Sequence, residues 1–158
     1  VLGSCISVCL RDPVARVGGM NHFMLPDSAN GDGDSTRYGV HAMEMLINGC
    51  MGHGADRYRL EAKVFGGGHV LKTSVSDGSV PQKNIAFAFT FLELEHIKVI
   101  TKDIGGYAAR SVFFFTDTGK VLMKRLRETG ADVRNMVEEE RIVVTPPKPQ
   151  DDQDVVLF

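Results

Sequence analysis

Tryptophan is absent from this chain, and cysteine and tyrosine occur three times each. Three thiols, Cys5, Cys9 and Cys50, are too few and odd in number for a disulfide framework, so reduced cysteines are expected. A large charge imbalance is missing too: 18 lysines and arginines face 20 aspartates and glutamates, a formal net charge of -2. No global positive field exists to hold nucleic acid or an anionic membrane. No apolar run reaches the ~18 residues of a membrane span, and no basic segment leads into an apolar one as in a signal peptide. A cytoplasmic chain without membrane insertion is therefore expected. The glycine run Gly66–Gly68 is followed by no Gly-Lys-Ser/Thr, which removes the phosphate-loop reading. No internal repeat is visible.

What is present is ordinary globular composition, 43% apolar and 24% charged, in 158 residues. That length fits one hydrophobic core. A single domain is expected over 1–145, followed by a Pro/Asp-rich tail over 146–158 that is disordered or lies on the surface, with Val155 to Phe158 as a docking end. The chain opens on Val1 directly into Leu-Gly-Ser-Cys, so residues upstream are expected.

Two periodicities alternate along the domain. Ser4 to Leu10 places Ile6, Val8 and Leu10 on one side and Cys5, Ser7 and Cys9 on the other, as in a strand. Arg11-Asp12-Pro13-Val14 predicts a turn, and Val17 to Leu25 the return strand, with Gly18-Gly19 permitting a bulge. Asn30 to Asp34 reads as a loop. A helix begins near Asp34 to Thr36 with Val40, Met43, Ile47 and Cys50 on one face, and Gly52 or Gly54 ends it. Arg59 to Phe65 is a strand running into the glycines. Pro81 to about Glu95 is a second helix with Ile85, Phe89 and Leu92 as its stripe. Ile97 to Lys102 is a strand, and Arg110–Phe115 and Val121–Arg125 form a hairpin about Asp117-Thr-Gly-Lys120.

The first hairpin carries the chemistry. With Pro13 and Val14 as a two-residue loop, Cys5 lies opposite His22, with Cβ atoms roughly 4.5–5.5 Å apart. A one-residue slip would put them on opposite faces. An imidazolium beside a thiol favours the thiolate, the form that attacks carbonyl carbon, so Cys5 is the candidate nucleophile and His22 the candidate base. Gly3 and Ser4, small and directly before Cys5, are candidates for the oxyanion and substrate side. The plain alternative is that cysteine and histidine here simply pack. Zinc does not fit Cys5 and Cys9, ~13 Å apart on a strand at its usual rise, far beyond the reach of two sulfur bonds of about 2.3 Å to one ion. His41, His53, His69 and His96 have no spaced partner and read as surface or loop residues, and Cys50 as helix core.

Leu2-Gly3-Ser4-Cys5-Ile6-Ser7-Val8-Cys9 followed by His22-Phe23-Met24-Leu25-Pro26 resembles the signature of the CheD family. Further matches are Tyr38, Ala42, Lys63 to Gly67, Asn84, Asp103-Ile-Gly-Gly106, Arg110 and Thr118-Gly119, so the likeness covers about 2–125. Pro81 and His69 depart from it, standing where the family has glycine and a small residue. The resemblance implies an α+β fold, a sandwich of β-sheets flanked by helices similar to the catalytic domain of cytotoxic necrotizing factor. It implies deamidation of glutamines on the cytoplasmic domain of methyl-accepting chemotaxis receptors by Cys5 and His22, at the receptor arrays, without metal or cofactor. Methylesterase activity and a CheC-type phosphatase partner occur in some members. The family's third catalytic residue, a threonine, would fall upstream of Val1. A non-catalytic adaptor that binds receptor helices or the phosphatase is the rival reading, since helix-in-groove binding needs no thiol.

Overall fold

The computed structural model describes residues 1–25, 32–70 and 79–126 of the chain. The tail at 146–158, the end of the expected domain beyond Leu126 and the Asn30-Gly31 part of the expected loop lie outside them.

In chain order the elements are β1 (Ile6–Asp12), β2 (Val17–Met20), α1 (Asp32–Gly52), a single 3-10 turn (Arg57–Arg59), β3 (Glu61–Gly66), α2 (Val80–Leu94), β4 (Lys98–Ile104), β5 (Arg110–Phe115) and β6 (Lys120–Arg125). They form a four-stranded sheet in the order β2-β1-β3-β4 and a separate β5–β6 hairpin. Within the larger sheet only β3 and β4 are parallel, because α2 carries the chain back between them.

The alternation of β1 splits the interior in two. Ile6, Val8 and Leu10 join Ala62 and Val64 of β3 against Met43 and Ile47 of α1 and Ala88 and Leu92 of α2. On the opposite face Cys5, Cys9 and Phe65 gather with Leu2 under Val112, Phe114 and Val121 of the hairpin. The architecture is α+β: helices cover one face of the sheet and the two-stranded sheet the other. Cations of the larger sheet reach the turn of the hairpin. Arg11 Nη2 donates to the Asp117 carbonyl at 2.6 Å and Lys63 Nζ to that of Gly119 at 2.6 Å.

Four expectations are corrected. The first turn has four loop residues, so Asp12 faces Val17 and Leu10 faces Gly19, a register displaced by two. The cause is Asp12, whose Oδ1 accepts from the N–H groups of Val14 and Ala15 while its carbonyl accepts from Arg16. Arg16 closes the loop at φ 58°. The second correction is that β2 stops at Met20, with only an Ile6–Phe23 bridge beyond it. Third, β1 starts at Ile6 rather than Ser4, and α1 already at Asp32, within the stretch expected as loop. Fourth, the inner stripe of α2 is Pro81, Asn84, Ala88, Phe91 and Leu92, so Ile85 and Phe89 are only half-buried. A polar residue turns this helix, because Asn84 finds two backbone partners inside.

Asp12 is fully buried, and its carboxylate meets Arg59 Nη2 at 2.8 Å and the Asp56 N–H at 2.8 Å. Arg59 holds this carboxyl well below the usual carboxylate range, helped by the N–H groups of residues 56, 15 and 14 and opposed by burial. The ion pair thereby fastens the β1 turn to the segment that starts β3.

Candidate active site

Cys5 sits in the bend between the Leu2–Arg110 bridge and the first residue of β1. Three glycines, Gly66 at the end of β3 and Gly67 and Gly68 directly after it, support that bend. Gly67 N–H donates to the Cys5 carbonyl at 2.7 Å and Gly68 N–H to the Gly3 carbonyl at 2.8 Å. Gly66 and Gly67 have φ of 112° and 63°, and a Cβ on Gly66 would lie 2.2 Å from the Cys5 oxygen. Glycine is required here by backbone conformation and by close approach together. Asn84, fully buried, closes the other side: its Nδ2 donates to the Ser4 carbonyl at 3.0 Å and its Oδ1 accepts from Leu25 N–H at 2.8 Å. One amide thus ties the residue before the cysteine to the segment that follows the histidine.

His22 lies between the end of β2 and the Phe23 bridge. Its exposed imidazole reaches inward, and Nε2 stands 2.8 Å from Cys5 Sγ. Cys5 is 7% exposed, so the sulfur is the floor of the site and the ring its solvent side. The two-residue register shift leaves this pairing intact. A shift of two keeps every side chain on its face, so Cys5 and His22 become diagonal neighbours, which a long side chain spans. The expected opposition was wrong in register and right in face.

The model of the family described as "CheD chemotactic sensory transduction" matches residues 24–125. The chain belongs to the CheD family. Proteins of Stenotrophomonas maltophilia (strain K279a) and Xanthomonas axonopodis pv. citri (strain 306) are 51% and 52% identical to it over 125 residues, 79% of this chain and 63% of each of theirs. A protein of Rhizobium rhizogenes (strain K84 / ATCC BAA-868) is 49% identical over 154 residues, 96% of this chain and 81% of its own. All three carry the name "Probable chemoreceptor glutamine deamidase CheD". The chain therefore spans just under two thirds of the first two relatives.

Several positions that carried the CheD resemblance have a structural task. Ala42 offers its carbonyl to Asn21, and Lys63 binds the hairpin turn. Asp103 receives Arg110 Nε and Arg125 Nη2, each at 2.6 Å. Burial raises the Asp103 carboxyl, but the two guanidiniums outweigh it and hold the group below its ordinary value. Arg110 also donates to the carbonyls of Ala108 and Gly105, so it fixes the loop that passes Gly68. Of the departures from the family, His69 N–H donates to the Gly106 carbonyl, and Pro81 is buried at the start of α2.

Gly3 and Ser4 are buried beside Cys5, and their carbonyls are held by Gly68 and Asn84. Ser4 Oγ contacts Met24 Sδ at 3.6 Å. Sequence reasoning missed Asn21 altogether and noted Asn84 only as a family match. A buried asparagine in an otherwise apolar helical stripe is the signal that would have found Asn84. His41, His53 and His96 are exposed, and His69 half-buried, as expected of surface and loop residues.

The remaining thiols are silenced by their surroundings. Burial pushes Cys9 up to about 12, with Lys63 pulling weakly the other way, and burial pushes Cys50 up to about 11. At pH 8 both thiols therefore stay protonated. Iodoacetamide at that pH is expected to label folded protein at Cys5 alone, as read by peptide mass mapping. Labelling of Cys9 or Cys50 at a comparable rate would show that the environment does not select the first thiol.

Proposed function

We propose that the protein hydrolyses the side-chain amide of selected glutamines on the cytoplasmic domain of methyl-accepting chemotaxis receptors, giving glutamate and ammonia. The observation that carries this reading is the 2.8 Å approach of His22 Nε2 to Cys5 Sγ, joined to the deamidase name of relatives near 50% identity. Cys5, as thiolate, attacks the glutamine Cδ and forms a tetrahedral oxyanion. The C–N bond then breaks, with the imidazolium giving its proton to the departing ammonia, and a thioester remains. Water attacks that carbonyl as His22 takes its proton, the C–S bond breaks, and thiolate and glutamate are released. The sum is glutamine plus water to glutamate plus ammonia, with no electron transfer and no metal or cofactor.

Backbone donors in the Gly3-Ser4-Cys5 bend suit the oxyanion, since the glycine supports and Asn84 hold the segment rigid before any substrate arrives. The reading includes a likeness to the catalytic domain of cytotoxic necrotizing factor, as the CheD resemblance implies. The place of action is the cytoplasmic side of receptor arrays, and a CheC-type phosphatase is a candidate partner. Among the described residues no helix is long and apolar enough to cross a membrane.

The test is incubation of the protein with a receptor cytoplasmic fragment, following ammonia release and mapping glutamine-to-glutamate conversion by peptide mass. Ammonia in step with conversion is the expected result. Tight binding of the fragment with neither ammonia nor conversion would replace the enzyme by the adaptor reading.

A further inference from the structure

The hydrogen-bond ladder between β1 and the strand that returns beside it is regular at Ile6, where N–H and carbonyl both pair with Phe23 at 2.9 and 3.0 Å. Two residues on it breaks. Asn21 N–H still donates to the Val8 carbonyl at 3.1 Å, but Val8 N–H goes to the Asn21 side-chain Oδ1 at 3.0 Å. The main-chain carbonyl of Asn21, which a regular antiparallel pair would place there, accepts instead from Ser7 Oγ at 2.6 Å. The Asn21 Nδ2 group is held from the helix side by the Ala42 carbonyl at 3.2 Å and Met43 Sδ at 3.3 Å. The side chain has taken the ladder position of its own backbone.

This substitution acts on the peptide that joins Asn21 to His22. With its oxygen on Ser7, on the face of β1 that also carries Cys5, that peptide is turned out of the ladder orientation just before the histidine. Resting on the deamidase reading above, we infer that Asn21 and Ser7 are positioning residues. They hold the Asn21–His22 peptide in the turned orientation, and that orientation aims Nε2 at Cys5 Sγ. A structural role alone would need no such exchange, because the ordinary main-chain bond satisfies Val8 equally well.

Asn21→Ala separates the two accounts. Without Oδ1, the main-chain carbonyl of residue 21 is free to swing back onto Val8 N–H, so the variant keeps its ladder while the imidazole turns off the sulfur. The expected result is a folded protein whose Val8 amide stays protected in hydrogen exchange. Its Cys5 alkylation at pH 7 slows toward the rate of His22→Ala, by about tenfold, through loss of thiolate. On a receptor fragment kcat falls by about 10²-fold with KM little changed, the scale of a small misplacement of a reacting group. Ser7→Ala removes only the hydroxyl that holds the turned carbonyl, and should move alkylation and kcat the same way by a smaller factor. Wild-type alkylation rates in both folded variants would overturn the inference, and Ser7→Ala decides it alone if Asn21→Ala does not fold. Wild-type protein that releases no ammonia would end the deamidase reading, while the alkylation rates would still support or refute the aiming of His22.

Discussion

Cys5→Ala and His22→Ala should each reduce ammonia release from a receptor fragment by at least about 10³-fold, and the double variant should be no worse than either one. The non-additivity matters more than the size. On the proposed mechanism two groups 2.8 Å apart pass one proton between them and act as a unit, so removing either leaves the other without a task. Independent contributions would multiply. Cys5→Ser sharpens the test, because the oxygen nucleophile keeps the shape of the site yet is far less acidic than sulfur, and should leave activity near that of Cys5→Ala. Receptor binding, followed by fluorescence anisotropy of a labelled fragment, should persist in all of these variants, since the backbone bonds that hold the bend at residues 3–5 are left in place. Release that survives in both single variants at the wild-type rate would remove the assigned pair from the mechanism and leave the fold untouched.

The pair was legible in the sequence for a reason that tolerated an error. The hairpin prediction placed the loop at two residues, whereas Asp12 gathers the N–H groups of Val14 and Ala15 and makes it four. Because strand faces repeat every two residues, the error cancelled, and Cys5 and His22 remained on one side. The buried face of α1 was equally legible, since Met43, Ile47 and Cys50 follow helical spacing and are all buried. The rotation of α2 was not. Its inner stripe contains Asn84, and a pattern read from apolar residues alone moves to Ile85 and Phe89. Contacts between distant segments were closed to the sequence as well: the Asp12–Arg59 pair spans 47 positions and the Asn84–Ser4 bond 80. The exchange at Asn21 was hidden because nothing local distinguishes an asparagine that replaces its own backbone from one in a turn.

The glycine run is where fold and chemistry share a constraint, and Gly66→Ala should be the most damaging single-methyl change among the described glycines. Two costs fall at one atom. The φ of 112° is one that side chains rarely adopt, worth about 1–3 kcal/mol. The new Cβ would also stand 2.2 Å from the Cys5 carbonyl oxygen, a backbone atom that no rotamer change moves aside. A loss of about 3 kcal/mol or more, roughly 10 °C in Tm, is expected by thermal unfolding. Two companion variants apportion it. Gly105→Ala has positive φ, 70°, with nothing within 4 Å, so it carries the strain without the collision. Gly52→Ala, at the end of α1 with open space around it, carries neither and should be neutral or slightly stabilising. The excess of Gly66→Ala over Gly105→Ala therefore contains the collision with the Cys5 carbonyl together with the greater strain of a φ of 112° over one of 70°. Whatever relief the chain finds must displace the bend that holds the sulfur, so the residual folded protein should also have lost its rapid Cys5 alkylation. A Gly66→Ala variant with wild-type Tm and wild-type Cys5 alkylation would mean that the close approach of β3 to the Cys5 carbonyl is not a feature of the protein in solution.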